Sequence, residues 1–314
     1  MKTLKPYALK NITTNVIIPG SLVLAESKPK KGEWVPVIES VERNINNPAS
    51  YDATVKLTYT AAVNAERFAD HAKAFIKEQG YDANNIVLSN SVCSDDIDGP
   101  IYANTNNIGQ TPESQNDFLG AFMSGGLSGY PHTGILGIQA WGSHVTSNTS
   151  GGLFMINMPH IGISQSGNVG RIWRKGKTQA ESATDNTCGA VATAIAWVGA
   201  NGSAPVASNF PNDYQNFVLC DILFPFKANL STGTYGAKMV YATEKIRLAG
   251  AAFIEGASGI VTGNVPATTD VFFCSGTFIN TDSGYSAYVV VTSFKKYNTV
   301  GGWVDLTTQF LENL

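Results

Sequence analysis

A chain of 314 residues with 43% hydrophobic content can bury a sizeable core, and its length allows one large α/β domain or two smaller ones. Only 14% of the residues are charged and the net charge is -3, which excludes a basic face for nucleic acid and a tail of like charges, and points to a small substrate. No apolar run approaches the roughly 20 residues that cross a bilayer, and prolines and polar residues interrupt the start of the chain where a secretory core would be continuous. A soluble intracellular protein is therefore expected, cytoplasmic or organellar if a transit peptide has been removed.

Residues 1–50 alternate short apolar pieces with Pro, Gly and Lys, as in Ser27-Lys28-Pro29-Lys30-Lys31-Gly32, and read as an arm or capping segment. From Ser50 the apolar residues Val55, Tyr59, Ala62, Val63, Phe68, Ala69, Ala72, Phe75 and Ile76 recur at steps of three and four, which predicts one long amphipathic helix stopped by Gly80. His71 falls among its polar positions and reads as a solvated surface residue. The continuous apolar run ending Ser91-Val92-Cys93 predicts a buried strand of a parallel sheet with Cys93 at its carboxyl end. Ligand crevices in open α/β sheets lie outside such ends, so Cys93-Ser94-Asp95-Asp96 stands where chemistry is expected.

Thr111-Pro112-Glu113 predicts the start of a helix running to Met123, and a glycine-rich loop follows at Gly125, Gly126 and Gly129. His132 and His144 flank an apolar piece and read as surface or structural residues. Leu153–Ile163 predicts a strand carrying Pro159-His160, then a turn at Ser166-Gly167-Asn168 and a second short strand, Val169–Trp173. A helix from Cys188 to Val198, capped by Asp185, Asn186 or Thr187, places Cys188 in the first turn, where the helix dipole favours thiolate. Further on, helices are expected over 211–226 and 237–255, then an antiparallel hairpin of 270–280 and 285–297, with Cys220 and Cys274 in the core. The unbroken alternation predicts a single α/β domain over 51–314: a mainly parallel central sheet flanked by helices, with a C-terminal antiparallel hairpin.

Four dispersed cysteines in a chain of this size suit thiols in a reducing compartment better than a disulfide framework. Cys93, His160 and Cys188 each lie at the end of a strand or the start of a helix and can meet at one rim of the sheet. Two thiolates and an imidazole match zinc, whose catalytic sites use three protein ligands and keep one position for water. No CxxC or HxxxH spacing compacts the set, so the pattern also admits Cys188 as a nucleophile with His160 as its base, in an amide or thioester hydrolase.

Pro159-His160-Ile161-Gly162-Ile163-Ser164, then Gly170-Arg171-Ile172, Arg174-Lys175-Gly176-Lys177 and Cys188-Gly189-Ala190 resemble the core of the limiting-carbon-dioxide-inducible B and C protein family. Cys93-Ser94-Asp95-Asp96 is similar to that family's first ligand segment. The resemblance spans about residues 50 to 300 and implies a fold and site like those of β-class carbonic anhydrases. It implies Zn2+ on Cys93, His160 and Cys188, carbon dioxide and bicarbonate as substrates, attack by a zinc-bound hydroxide, and a homodimer. Asp95 matches the β-class aspartate that takes the fourth zinc position or accepts a hydrogen bond from the bound water. The arginine expected shortly after it is replaced by Ile97-Asp98-Gly99-Pro100, so Arg171 or Arg174 is the candidate to supply the guanidinium. Without it, the same resemblance implies a zinc-binding member that has lost catalysis and serves as an assembly or partner protein in inorganic-carbon handling.

Overall fold

The computed structural model describes residues 8–11, 17–18, 34–37, 49–93, 118, 120–131, 137–140, 151–174 and 176–314. The chain divides into two units, Met1–Asn46 and Asn47–Leu314. In the first, β1 (Ala8–Asn11), β2 (Ile17–Ile18) and β3 (Trp34–Val37) pair antiparallel in the order β2-β1-β3. The Pro- and Lys-interrupted sequence does not announce this pairing.

The second unit opens with α1 (Ala49–Thr58) and α2 (Ala65–Glu78), where the apolar stripe predicts a single helix. Between them β4 (Val63–Asn64) pairs antiparallel with Tyr288 and Val289. Asn64 then restarts the helix: its Oδ1 accepts from Glu66 N at 2.9 Å and Arg67 N at 3.4 Å. Such a cap contributes about 1 kcal/mol. His71 is half-buried rather than solvated, its Nε2 lying 2.7 Å from the carbonyl oxygen of Phe310.

The large sheet runs β11-β10-β9-β7-β5-β6. Its parallel part consists of β5 (Ile86–Ser91), β6 (Gly120–Met123), β7 (Gly151–Asn157) and β9 (Thr269–Asn280), and β8 (His160–Gly162) also pairs parallel with the end of β9. Strands β10 (Tyr288–Asn298) and β11 (Gly302–Asp305) add on antiparallel. The architecture is thus a mixed central sheet with flanking helices and C-terminal antiparallel strands. Alternate residues face opposite layers, which is why these strands read as continuous apolar runs. Ile86, Leu88, Phe154, Phe272 and Phe294 pack with Phe68, Phe75 and Phe310, whereas Val87, Leu153, Met155, Val271 and Phe273 pack with Ile254, Ile260 and Val261. Each such side chain contributes roughly 1.5–3 kcal/mol by leaving water.

Further expected elements differ, and the strand expected over Leu153–Ile163 is divided into β7 and β8 around Met158 and Pro159. Gly120–Met123 is not the end of a helix but β6, in register with Val87–Asn90, and residues 111–117 and 119 of that expected helix lie outside the described residues. The second strand over Val169–Trp173 reduces to one bridge between Ile163 and Val169, because a side chain takes the backbone groups that a ladder would use. Asp282 accepts from Trp173 N at 2.6 Å and from Gln165 N at 2.9 Å.

Further helices are α3 (Gln179–Ser182), α4 (Gly189–Ala200), α5 (Tyr214–Leu223), α6 (Lys227–Leu230), α7 (Tyr235–Glu255) and α8 (Thr307–Leu311). Helices α4, α5 and α7 pack with Ile161, Ile163 and Ile279 into a third apolar cluster, and Cys93 and Cys188 belong to it. Among the described residues no helix is long and apolar enough to cross a membrane.

Candidate metal centre

Three chain segments converge where this third cluster meets the carboxyl ends of the parallel strands. Cys93 follows β5 by two residues, His160 opens β8, and Cys188 is the N-cap of α4, one residue outside the helix whose first turn it was expected to occupy. They are 1%, 0% and 1% exposed. One ligand atom from each, two Sγ and one imidazole nitrogen, lie within 4.8 Å of one another, and no other such group of three is found among the described residues.

The close approach has a local cause. Gly162 sits two residues after His160 on the same face of β8, and a Cβ there would lie 2.0 Å from Thr187 Oγ1 and 2.7 Å from Ile172 Cγ2. Only a bare Cα lets the segment carrying Cys188 lie against the strand carrying His160. That segment is also held by hydrogen bonds: Thr187 N donates to Gly170 O at 2.9 Å, Arg174 Nη2 to Thr187 O at 2.9 Å, and Arg171 Nη1 to Asp185 O at 3.2 Å. The Arg171 guanidinium lies over the Tyr235 ring, 4.4 Å from its centroid, and Lys177 pairs with Asp185. Both arginines therefore act on the backbone leading to Cys188.

The donor set fits a metal. His160 Nδ1 donates to Asn280 Oδ1 at 2.7 Å, which fixes the tautomer and puts the ring's lone pair on Nε2. Asn280 is in turn set by the sheet, since His160 pairs with Phe278 and the Asn280 carbonyl accepts from Ile163 N at 3.0 Å. The Cys93 sulfur accepts from Ser128 N at 3.1 Å. The neighbouring Cys188 thiol, and then burial, push the Cys93 thiol well above its ordinary range, against the opposing pull of His160. Two sulfurs and an imidazole nitrogen brought to one buried point are a donor set that a divalent cation such as zinc fits. By contrast Cys220 and Cys274 are buried but are not part of this group of three ligands, although Cys220 shares the apolar cluster, and burial pushes the Cys220 thiol up to about 12.

Asp95, His132 and His144 lie outside the described residues. Asn280, Ser128 and Gly162 were missed by sequence reasoning. Ser128 had a signal in the Gly125-Gly126-Leu127-Ser128-Gly129 run and Gly162 in the Pro159–Ser164 string, whereas Asn280 had none.

The model of the limiting CO2-inducible proteins B/C beta carbonic anhydrases matches residues 62–298. The chain belongs to this family. Its fold is similar to the crystal structure of PtLCIB4, a homolog of the limiting CO2-inducible protein LCIB, with a TM-score of 0.66 and 22% identity over 81% of this chain and 98% of that one. The crystal structure of limiting CO2-inducible protein LCIB itself is matched with a TM-score of 0.56 and 15% identity, over 79% of this chain and 94% of that one. At these identities the likeness is one of fold. No curated protein matches the chain in sequence. The match spans the stretches that carry Cys93, His160 and Cys188, and in this family member those residues form a Cys-His-Cys group able to hold a metal ion.

Proposed function

We propose that the chain is a zinc-dependent carbonic anhydrase, a carbonate dehydratase, which interconverts carbon dioxide and bicarbonate and works as a homodimer in the cytoplasm or an organelle. The observation that carries this reading is the meeting of Cys93, His160 and Cys188, with the His160 tautomer set by Asn280. Bound there, zinc supplies a Lewis acid and an acidified water. The chain's own residues do the rest. Cys93 and Cys188 provide anionic donors, Asn280 orients His160, and the apolar side chains of Ile161, Val191 and Ile279 in the same cluster give an environment suited to an apolar substrate. By the family resemblance Asp95, two residues after Cys93 in the sequence, would take the fourth zinc position or accept a hydrogen bond from the water there. Arg171 or Arg174 is the candidate for the guanidinium that the family pattern sets beside that aspartate, a task beyond the hold both already have on the Cys188 segment.

The test is carbon dioxide hydration by the zinc-loaded protein, followed by stopped flow. Two thiolates make the acidified water less acidic than three imidazoles would, so turnover is expected to rise with pH between about 6 and 9 and to vanish in His160→Ala. Exchange at background throughout, with zinc bound, assigns the chain to the assembly or partner role instead. A cysteine hydrolase using Cys188 and His160 has less support, because Cys93 joins the same cluster and such a dyad gives it no task.

A further inference from the structure

Ser128 is one of two non-glycine residues with positive φ among those described, at φ +65° and ψ -2°. A side chain in this left-handed region is disfavoured, and a serine usually enters it with a hydrogen bond from its own hydroxyl as compensation. Here the residue is 0% exposed and its Oγ has no partner among the described residues. The hydroxyl therefore does not hold the conformation.

The surrounding loop does. A Cβ on Gly125 would lie 2.0 Å from the Val92 carbonyl oxygen, and one on Gly129, itself at φ +82°, would lie 3.0 Å from Pro159 Cα and 3.2 Å from Cys93 N. The two glycines thus press the loop onto both ligand-bearing segments. Ser91 Oγ donates to Gly129 O at 2.7 Å and ties it to the end of β5. Within the loop, Leu127 N donates to Gln215 Oε1, Gly129 N to Gly126 O and Gly126 N to Tyr130 O, all oxygen acceptors. Ser128 N alone in this group is turned onto sulfur, at 3.1 Å from Cys93 Sγ. A thiol sulfur is a weak acceptor, whereas a thiolate is a strong one that backbone N–H groups stabilise.

From this geometry we infer that Ser128 is a positioning residue of the metal centre: its left-handed backbone aims an N–H at Cys93 Sγ, holding that sulfur in the direction that a metal needs. The role rests on the metal-site reading above. It belongs to the backbone of residue 128 and not to its hydroxyl, which gives the test its form.

In the full chain, Ser128→Gly keeps the backbone conformation and the N–H and deletes the hydroxyl, whereas Ser128→Thr keeps the hydroxyl and adds the β-branch least compatible with positive φ. Zinc affinity is measured by chelator competition, and the sulfur-to-cobalt charge-transfer band is recorded after loading with Co2+. Ser128→Gly is expected to match the unaltered chain within about threefold with the same band, and Ser128→Thr to bind zinc at least about tenfold more weakly with a shifted band. Ser128→Ala, which removes only the hydroxyl, is expected to match the unaltered chain as Ser128→Gly does, and keeps the assignment open to refutation if the threonine variant does not fold. A tenfold loss of affinity or a shifted band in the glycine or alanine variant, or full affinity with an unshifted band in a folded threonine variant, overturns the assignment. An unaltered chain that takes up neither metal overturns the metal-site reading and this role with it, whereas metal uptake insensitive to residue 128 overturns the role alone.

Discussion

The centre depends on residues one step removed from the ligands. Asn280 is the clearest, since its Oδ1 decides which imidazole nitrogen faces the two thiols. Asn280→Ala is expected to weaken zinc binding by about 10–100-fold in a chelator competition, with the fold retained by circular dichroism. Arg174→Met separates two tasks. If the guanidinium mainly holds Thr187 O, zinc affinity falls about tenfold; full affinity with kcat lost makes it a catalytic group instead. The ligands themselves were legible because the chain has only four cysteines and four histidines, so each invites a role. Asn280 was not, because its task exists only once β8 lies in parallel register with β9, which brings side chains 120 positions apart within hydrogen-bond distance.

At the scale of elements, the close packing of β8 against the Cys188 segment is the feature that assembles the site. Gly162→Ala would drive a methyl group into Thr187, with its Oγ1 2.0 Å from the new Cβ. The expected cost is about 1–3 kcal/mol of stability in thermal or urea unfolding, together with weaker metal binding, because the strain falls between His160 and Cys188. A variant with unchanged unfolding and unchanged zinc content would show that the segment can move away freely. The interruption between α1 and α2 was hidden in the sequence for a related reason. The apolar stripe stays in phase across it, and what breaks the helix is the pairing of Val63–Asn64 with Tyr288–Val289, more than 200 residues later. Likewise Gly120–Met123 carries no strand signal of its own and becomes β6 by pairing with β5. The buried parallel strands β5 and β7 and the hairpin of β9 and β10 were legible because their apolar runs are long and continuous.

For the whole molecule, a large mixed sheet with helices on its faces brings three sequence-distant segments to one buried point at the strand ends, and the family match covers that assembly. Since a metal binds only the assembled site, zinc is expected to raise the unfolding temperature of the metal-free protein by several degrees, and to leave Cys93→Ser unaffected. The most direct measurement is the zinc content of the purified full chain and of Cys93→Ser, His160→Ala and Cys188→Ser, determined by elemental mass spectrometry. The account predicts about one zinc per chain in the unaltered protein and a background level in each folded variant. Unaltered protein without metal after purification from zinc-replete cells, or zinc retained in all three variants, would contradict it.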